Sequence, residues 1–281
     1  MNSRERSSRW LLVLLLCWLP VTAQAKEAPV YKIAIVPQYS PVFIYRNWRP
    51  LIEELEKQMG VGLKIQTYKN FKEFIQALKN GEPDFSYMSP YHLVIARQRQ
   101  NYQPLLRDAD KQLVGLVVVP KDSPVKSINE LHGETLAFPS PSAFAASLYL
   151  RAWLHEKVGI DFTPRYVGTH GNVYRNVVRG FVTAGGGVNS TLASQPDSLR
   201  KLLRVLYEIP GVAAHPIAVH GRVPVKVQSA FFRSMKALQD KESGQKLLRE
   251  IQIASPVRAN YARDYAFLER LDLEKYRGNA W

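Results

Sequence analysis

Hydrophobic and polar positions follow one another along this chain in an order that predicts alternating strands and helices. A β-rich run at 31–37 predicts the first strand, and apolar residues at helical spacing predict a helix at 48–59 that ends at Gly60 and Gly62. Asn70 is placed to cap the next helix. Further strands are predicted at 63–68 and 84–88, and further helices at 71–78 and 91–99, with Pro90 in the first turn. This β-α-β-α-β-α order indicates a parallel sheet with helices on both faces.

A second series of strands and helices begins with the most continuous apolar stretch of the sequence, at 113–120. Its strands are predicted at 135–138, 165–167, 181–187 and 203–209, and its helices at 127–131, 143–158 and from Thr169 or His170 onward. Residues 214–219 then predict a strand that returns to the first series, before helices at 224–253, with a break near Gly244, and 261–273. Two series joined by two crossing strands predict two lobes. Because ligands of open α/β sheets bind where strands end, we expect a ligand cleft between the lobes.

The first 25 residues have the pattern of a secretory signal peptide. Arg4, Arg6 and Arg9 precede an apolar run at 10–19, which is too short to span a bilayer comfortably, and small residues follow at the end of the segment. We therefore expect cleavage after Ala25, export to the periplasm and no stable membrane anchor. The remaining 256 residues of the 281 suffice for one large domain or two lobes.

Charge and cysteine content exclude several classes of protein. The single cysteine, Cys17, lies in the signal segment without a small residue before it, so neither a lipoprotein anchor, a disulfide nor a thiolate metal site is expected. The formal charge is +14, and the signal contributes a net +2 from three arginines and one glutamate, which leaves +12. These basic residues are spread over predicted amphipathic helices, so the pattern favours acidic solutes and disfavours nucleic acid.

One short stretch, residues 165–174, has the pattern of an anion-binding turn. Residues 165–167 end a predicted strand, Gly168 loosens the turn, and Thr169 can cap the helix that starts beside it. The free N–H groups and positive end of a helix attract anions, and His170 adds a side-chain donor there. The alternative interpretation is an ordinary strand–turn–helix connection with an exposed histidine.

Four motifs together carry a resemblance to a known family. They are Asp-Phe-Ser-Tyr-Met-Ser-Pro-Tyr at 84–91, Val-Val-Val-Pro-Lys-Asp-Ser-Pro at 117–124, Phe-Pro-Ser-Pro-Ser at 138–142 and Gly-Thr-His-Gly-Asn-Val at 168–173. In order and spacing they resemble the phosphate/phosphite/phosphonate-binding periplasmic proteins of ABC transporters, a branch of the type II periplasmic binding fold. The resemblance implies two α/β lobes, each a mostly parallel sheet flanked by helices, joined by two crossover strands. It divides the chain into a signal peptide at 1–25, lobe I at 26–115, lobe II at 116–214 and a return to lobe I at 215–281.

The resemblance also implies an anion pocket. His170 matches the family's histidine, Thr169 and Asn172 stand beside it, and Ser140 and Ser142 fall at the hydroxyl-bearing turn before the long helix. The remaining candidate ligand contacts are Tyr87 and Ser89 after a strand, Tyr39 as a wall of the cleft, and His215 in the return crossing.

Two departures from the family pattern leave the ligand open. Phosphonate binders of the family read a Ser-Thr-Ser-type run where this chain continues with Ala, Phe, Ala and Ala at 143–146, so two hydroxyl donors are missing. An unpaired oxyanion lone pair costs roughly 1–3 kcal/mol. Binders of aminophosphonates carry an acid in the return crossing, whereas residues 209–216 contain none, which disfavours a zwitterionic ligand.

The expected function is capture of a small oxyanion in the inter-lobe cleft by a monomer that serves an ABC transporter permease. The alternative is an exported sensor that signals to a membrane histidine kinase. The sequence has no Gly-x-Ser-x-Gly or His-Glu-x-x-His motif, and its histidines lack metal-ligand spacing. We therefore expect no enzyme activity, no cofactor and no metal. The glycines at 185–187 lack the lysine of a phosphate loop, so close helix–sheet packing is predicted for them.

Overall fold

The computed structural model describes residues 28–276, and these form two sheets flanked by helices. The strands are β1 Val30–Ile35, β2 Gly62–Gln66, β3 Phe85–Tyr87, β4 Gln103–Asp108, β5 Gln112–Leu113, β6 Gly115–Pro120, β7 Thr135–Phe138, β8 Thr163–Tyr166, β9 Ala184–Val188, β10 Leu203–Glu208, β11 Val212–Ala213, β12 Ile217–Val219 and β13 Pro256–Arg258. The α-helices are α1 Pro41–Met59, α2 Phe71–Lys79, α3 Pro90–Gln100, α4 Tyr149–Trp153, α5 His170–Val178, α6 Asn189–Ala193, α7 Asp197–Arg200, α8 Val225–Ala237, α9 Glu242–Glu250 and α10 Tyr261–Asp264.

Wider and tighter helical segments complete the described secondary structure. Two π-helical segments, Phe144–Leu148 and Leu154–Val158, continue α4 in both directions, and we call the combined element at 144–158 the long helix. Short 3₁₀ segments lie at Ile128–Leu131, Leu238–Asp240, Ala266–Leu271 and Leu273–Tyr276. Within the described residues, none of the helices is both long enough and apolar enough to cross a membrane. The expected signal peptide and its cleavage site lie outside these residues.

Both sheets are mixed, although mostly parallel sheets were expected. The first has the order β13-β4-β12-β3-β1-β2, and the second has the order β10-β6-β9-β7-β8. In the first sheet β1 pairs in parallel with β2 and β3, and in the second β7 pairs in parallel with β8 and β9. The pairs that involve β12 and β6 are antiparallel. Each of these two strands enters its sheet directly after a crossing from the other sheet. It therefore runs antiparallel to its neighbouring strands.

The two crossings between the sheets lie side by side. β5 leads from the first sheet to the second and β11 leads back, and the two pair antiparallel with Val212 opposite Leu113. The two predicted crossover strands are therefore confirmed, with shorter strands than expected. The pairing of β5 with β11 therefore links the two sheets at this point.

The helix α1 begins at Pro41, seven residues before its predicted start. Ser40 caps it by accepting a hydrogen bond from the backbone N–H of Phe43, and the proline occupies the first turn, where its missing N–H is harmless. Pro50 lies inside the helix. The sequence interpretation treated the segment before Trp48 as a polar and aromatic loop, which was wrong because the cap at position 40 was overlooked.

Two further elements differ from the sequence expectation. Strand β4 was not predicted, because Pro104 interrupts its pattern; the structure accommodates the proline opposite Ala218, where the register with β12 shifts. The expected helix break near Gly244 lies instead at 238–241, between α8 and α9. Gly244 sits inside α9, where a Cβ atom would come within 2.2 Å of the carbonyl oxygen of Leu238. The glycine therefore allows α9 to pack closely against Leu238, and it does not itself mark the break between α8 and α9.

Candidate functional site

A buried cavity, which we call the cleft cavity, lies where the two sheets face each other. Residues from both sheets line it: Val36, Gln38, Phe71, Ser89, Leu113, Ala143, Phe144, Ala145, Ala146, His170, Val188 and His215. Most of them lie in the segments that follow strands β1, β3, β7 and β8, and Val188 ends β9, so they come from the carboxyl ends of strands, where α/β proteins bind ligands. Its volume is only about 10 Å³, about the space one water needs. A larger ligand therefore requires the two sheets to separate and close again around it.

The long helix presents its N-terminus to the cleft cavity. Its cap residue, Ala143, makes no side-chain capping bond, and its carbonyl oxygen accepts from the N–H groups of both Ser147 and Leu148. The N–H groups of the first turn have no acceptor within a helix, and the helix dipole places partial positive charge at this end. Ala145 and Ala146 bring this turn into the cavity wall. The run without hydroxyls therefore offers backbone donors instead of side-chain donors.

Two glycines allow the first turn of the long helix to lie close against the second sheet. A Cβ atom on Gly115 would come within 2.4 Å of the carbonyl oxygen of Ala145, and one on Gly186 within 2.2 Å of the carbonyl oxygen of Ala146. A Cβ on Gly185 would collide with Val173 of α5. The prediction that the glycine run serves close helix–sheet packing is therefore confirmed.

His170 is the first residue of α5 and is only 2% exposed. Its Nδ1 lies 3.1 Å from the hydroxyl of Thr191, which lies 2.7 Å from the hydroxyl of Tyr174. Burial lowers the pKa of His170 to about 3, so the ring is neutral at pH 7. Because Nδ1 faces this hydroxyl pair and the ring lines the cleft cavity, Nε2 is the nitrogen available to a ligand. The alternative of an exposed histidine is wrong.

His215 faces the cavity from the return crossing, where the sequence placed it. Its ring stacks on that of Tyr87 with 5.3 Å between centroids, and both side chains are buried. Burial lowers the pKa of His215 to about 3, and the neighbouring His92 and His170 lower it further. Burial likewise raises the pKa of Tyr87. The pair is therefore neutral and contributes polar atoms without charge.

Sequence reasoning missed two residues of this region, His92 and Gln38. The Nε2 of His92 donates to the carbonyl oxygen of Ser142 at 3.1 Å, so the histidine joins α3 to the turn before the long helix. Burial lowers the pKa of His92 to about 4, although the bond to Ser142 opposes the shift. The side chain of Gln38 is 6% exposed and lines the cavity, and its amide makes no hydrogen bond within residues 28–276. Its position three residues after β1 was the available signal.

Ser89 and Tyr39 occupy the cleft as expected, with partners that the sequence did not reveal. Ser89 lines the cleft cavity and caps α3 by accepting from the N–H of His92. The hydroxyl of Tyr39 donates to that of Ser194 at 3.2 Å and accepts from the side-chain amide of Gln252 at 2.8 Å. Since Ser194 follows the second sheet and Tyr39 the first, this bond closes the cleft from one side.

The other four predicted site residues lie next to the cavity but use their polar atoms locally. Thr169 caps α5 by accepting from the N–H of Asn172, whose amide donates to the carbonyl oxygen of Val167. The hydroxyls of Ser140 and Ser142 lie 3.1 Å from each other. None of these four residues is among the described residues that line the cavity, so direct ligand contact by them stays a prediction.

Two larger cavities adjoin the cleft cavity. The first, which we call the aromatic cavity, has a volume of about 310 Å³ and is lined by Ile35, Val36, Gln38, Tyr39, Phe43, Ile44, Asn47, Trp48, Tyr87, Ser194, Arg249, Glu250, Ile251 and Gln252. The second, about 560 Å³, lies beside the crossings and shares Leu113 and His215 with the cleft cavity. No cluster of three or more acidic, histidine or cysteine side chains suited to a metal occurs in the described part of the chain.

Comparisons with known proteins relate this arrangement to a known family. A family model described as "ABC transporter, phosphonate, periplasmic substrate-binding protein" matches residues 33–265. The match covers both sheets, both crossings and the cleft cavity. It extends from β1 into the segment after α10.

Solved structures share the fold at low sequence identity. A binding protein component of an ABC phosphonate transporter from Pseudomonas aeruginosa is 15% identical with a TM-score of 0.77, over 90% of this chain and 88% of that one. PhnD1 from Prochlorococcus marinus, in complex with methylphosphonate, is 17% identical with a TM-score of 0.79, over 88% and 98%. A Xanthomonas citri protein bound to chloride ion is 17% identical with a TM-score of 0.69, over 89% and 97%. At these identities the likeness shows the fold, that of two-lobed periplasmic binding proteins.

Proposed function

The chain belongs to the family of periplasmic substrate-binding components of ABC phosphonate transporters, and we propose that it captures a small oxyanion in the cleft cavity and delivers it to a permease. The ligand class is phosphate, phosphite or phosphonate, of which the phosphonates fit the family best. The family match and the solved structures support transport and give no support to the sensor alternative. A protein that binds and releases its ligand unchanged needs no catalytic group.

One observation carries the ligand class. The N-terminus of the long helix and four polar side chains meet in a cavity whose lining contains no Asp or Glu among the described residues; the four are Gln38, Ser89, His170 and His215. An anion in such a cavity meets helix N–H groups, neutral ring nitrogens and amide hydrogens, and no like charge repels it. The described residues of this lining also include no Lys or Arg. Dipoles rather than fixed charges would therefore hold the ligand.

The hydroxyl pair behind His170 bears on the ring tautomer. The hydroxyl of Thr191 lies 3.1 Å both from Nδ1 of His170 and from the carbonyl oxygen of Val188, and it can donate to only one of them. We propose that in the liganded protein Tyr174 donates to Thr191 and Thr191 donates to Nδ1, so that Nε2 carries the hydrogen and donates it to the anion. Thr191 then acts as a positioning residue, and His170 as a direct donor.

Closure of the two sheets completes the site. We propose that residues 26–115 and 215–281 form lobe I and 116–214 form lobe II, and that the paired crossings β5 and β11 are the hinge. Lobe I brings Gln38 and Ser89, while lobe II brings the long helix and His170. The bonds from Tyr39 to Ser194 and from His92 to the carbonyl of Ser142 hold the closed form. We further propose export with cleavage after Ala25 and a monomeric state.

Thermal unfolding of the mature protein in the presence of anions tests the proposal. Methylphosphonate, phosphite or phosphate at 100 times Kd should stabilise the fold by about 2.7 kcal/mol. The variant H170A should lose most of this stabilisation while folding normally, and H155A, which removes an exposed histidine, should keep it. Stabilisation by neutral or cationic solutes with none by anions would contradict the proposal.

A further inference from the structure

We propose that the aromatic cavity is a binding site for the organic substituent of a phosphonate, and that the preferred substituent is uncharged and largely apolar. This inference rests on the proposed function, because it takes the cleft cavity as the site of the phosphonate group. It identifies the ligand class as alkyl or aryl phosphonates of at least ring size, in preference to methylphosphonate and aminoalkyl phosphonates.

The two cavities are contiguous and share a polar boundary. Val36 and Gln38 line both of them, and the unpaired amide of Gln38 therefore stands where the anionic head and the substituent of one ligand would meet. An amide can donate to the phosphonate without presenting a charge to the substituent. Tyr87 lines the aromatic cavity and stacks on His215 of the cleft cavity, which makes the second shared wall.

Four aromatic side chains, those of Tyr39, Phe43, Trp48 and Tyr87, form part of the cavity wall. Tyr39 stacks on Phe43 at 4.6 Å, and Trp48 packs at 5.2 Å against Tyr87. Ile44, which is buried, and neighbouring aliphatic residues also line the cavity. Rings arranged in this way bind aromatic and alkyl groups by apolar burial and by ring-to-ring contact.

The volume admits a substituent much larger than methyl. The aromatic cavity encloses about 310 Å³, whereas an apolar cavity of roughly 150 Å³ is enough to bind benzene. Specific ligand pockets of proteins commonly begin at roughly 300 Å³. A methyl group would leave this space unused.

The charges around the aromatic cavity do not favour an ammonium group. Its described lining carries one cation, Arg249, and one anion, Glu250, which are adjacent and exposed at the end of α9. The other polar side chains of this lining, among them those of Gln38, Asn47, Ser194 and Gln252, are neutral. A substituent with an ammonium group would exchange water for aromatic rings and amides without a dedicated carboxylate partner.

Calorimetric titration of the mature protein with a phosphonate series tests the inference. Benzylphosphonate should bind at least about tenfold more tightly than methylphosphonate, because burial of a ring-sized apolar group favours binding to that extent or more. Propylphosphonate should bind more tightly than its near-isostere 2-aminoethylphosphonate. Benzylphosphonate that binds no better than methylphosphonate, or a preference for the amine, would overturn the inference and leave the proposed function intact. Failure of every phosphonate to bind, while phosphate or phosphite binds, would overturn the inference alone, and failure of all of these anions to bind would overturn both.

A pair of tryptophan variants tests the location. Asn47 lines the aromatic cavity from α1, whereas Val42 lies on the same helix with 79% of its surface exposed. N47W should abolish the advantage of benzylphosphonate and leave the affinity for methylphosphonate within about twofold, and V42W should change neither. An unchanged advantage in N47W would refute the location. If N47W does not fold, the ligand series on the unmodified protein still decides the inference.

Discussion

Two helix N-termini beside the second sheet face the same cleft, and they reach it in opposite ways. The N-terminus of α5, at 169–172, is rich in polar side chains, but Thr169 and Asn172 use theirs within their own turn, and only His170 reaches the cavity. The N-terminus of the long helix, at 143–146, has no polar side chain, yet it lines the cavity over its whole length. Small apolar residues leave backbone N–H groups uncapped and accessible, whereas capping residues satisfy them. Polar residues at a helix N-terminus therefore do not by themselves identify a ligand contact.

The largest expected effect concerns the neutral histidines around these two helix N-termini, His92 beside the long helix and His170 and His215 beside α5. Burial holds their pKa values at about 4, 3 and 3, below the ordinary value of 6.5. The unfolded chain therefore binds these protons first, so their contribution is complete above about pH 6.5 and is lost as the pH falls toward 4. We expect the free energy of unfolding to fall by up to about 1.4 kcal/mol per pH unit for each histidine.

Urea denaturation between pH 7 and pH 4.5 measures this slope. Replacement of one buried histidine, as in H215Q, should reduce the slope. An equal slope in H215Q and the unmodified protein would show that this ring takes up its proton equally in the folded and unfolded states.

The next effect concerns the close packing that brings the N-terminus of the long helix to the cavity. In G186V the new side chain would meet the carbonyl oxygen of Ala146 and the ring of Phe138, and we expect a loss of about 3 kcal/mol of stability and of ligand binding. G221V is the matched control, since the nearest atom to a Cβ there is 3.9 Å away, on Asn101. Urea titration and calorimetry measure both quantities. Normal ligand affinity in a folded G186V would separate this helix N-terminus from the ligand.

Removal of the one side chain that reaches the cavity from the N-terminus of α5 should weaken binding. H170A deletes a donor to a charged group, which is worth about 1.5–3 kcal/mol, or about 10- to 100-fold in Kd. Titration with methylphosphonate measures the change. T191V keeps the ring but removes the hydroxyl that faces Nδ1, so a smaller loss in T191V than in H170A is expected. Equal affinity in H170A and the unmodified protein would remove His170 from the site.

The hydrogen bond between Tyr39 and Ser194 should contribute less to ligand affinity. Y39F and S194A each remove one side of a single hydrogen bond, so a double-mutant cycle on ligand affinity should give a coupling of about 1 kcal/mol. Y207F is the control, because the hydroxyl of Tyr207 accepts from Trp153 within the second lobe. A coupling indistinguishable from zero would show that this bond does not hold the closed form.

The smallest expected effect on affinity is at Asn172, whose polar group serves the first turn of α5. N172A loses the bond to the carbonyl oxygen of Val167, so stability should fall by about 1 kcal/mol while the Kd for methylphosphonate stays within about twofold. Thermal unfolding and calorimetry on the same sample separate the two. A tenfold loss of affinity would restore Asn172 as a ligand contact.

The same contrast explains what the sequence could and could not predict. The start of α5 was predicted to within one residue, at Thr169 or His170, because Gly168 and Thr169 are local signals for a turn and a cap. Gln38 could have been placed from its position three residues after β1, whereas His92 could not, since only the packing of the two sheets brings it to the carbonyl oxygen of Ser142. The sequence interpretation took the apolar run at 143–146 as a loss of two hydroxyl donors. It did not reveal that this run lines the cavity, where the N–H groups of a first helical turn can act as donors.

A crystal structure of the mature protein with methylphosphonate tests the central claim most directly. We expect phosphonate oxygens within about 3.2 Å of the backbone nitrogens of Ala145 and Ala146 and of Nε2 of His170. A phosphonate held instead by the hydroxyls of Ser140 and Ser142, or bound outside the cleft, would contradict it.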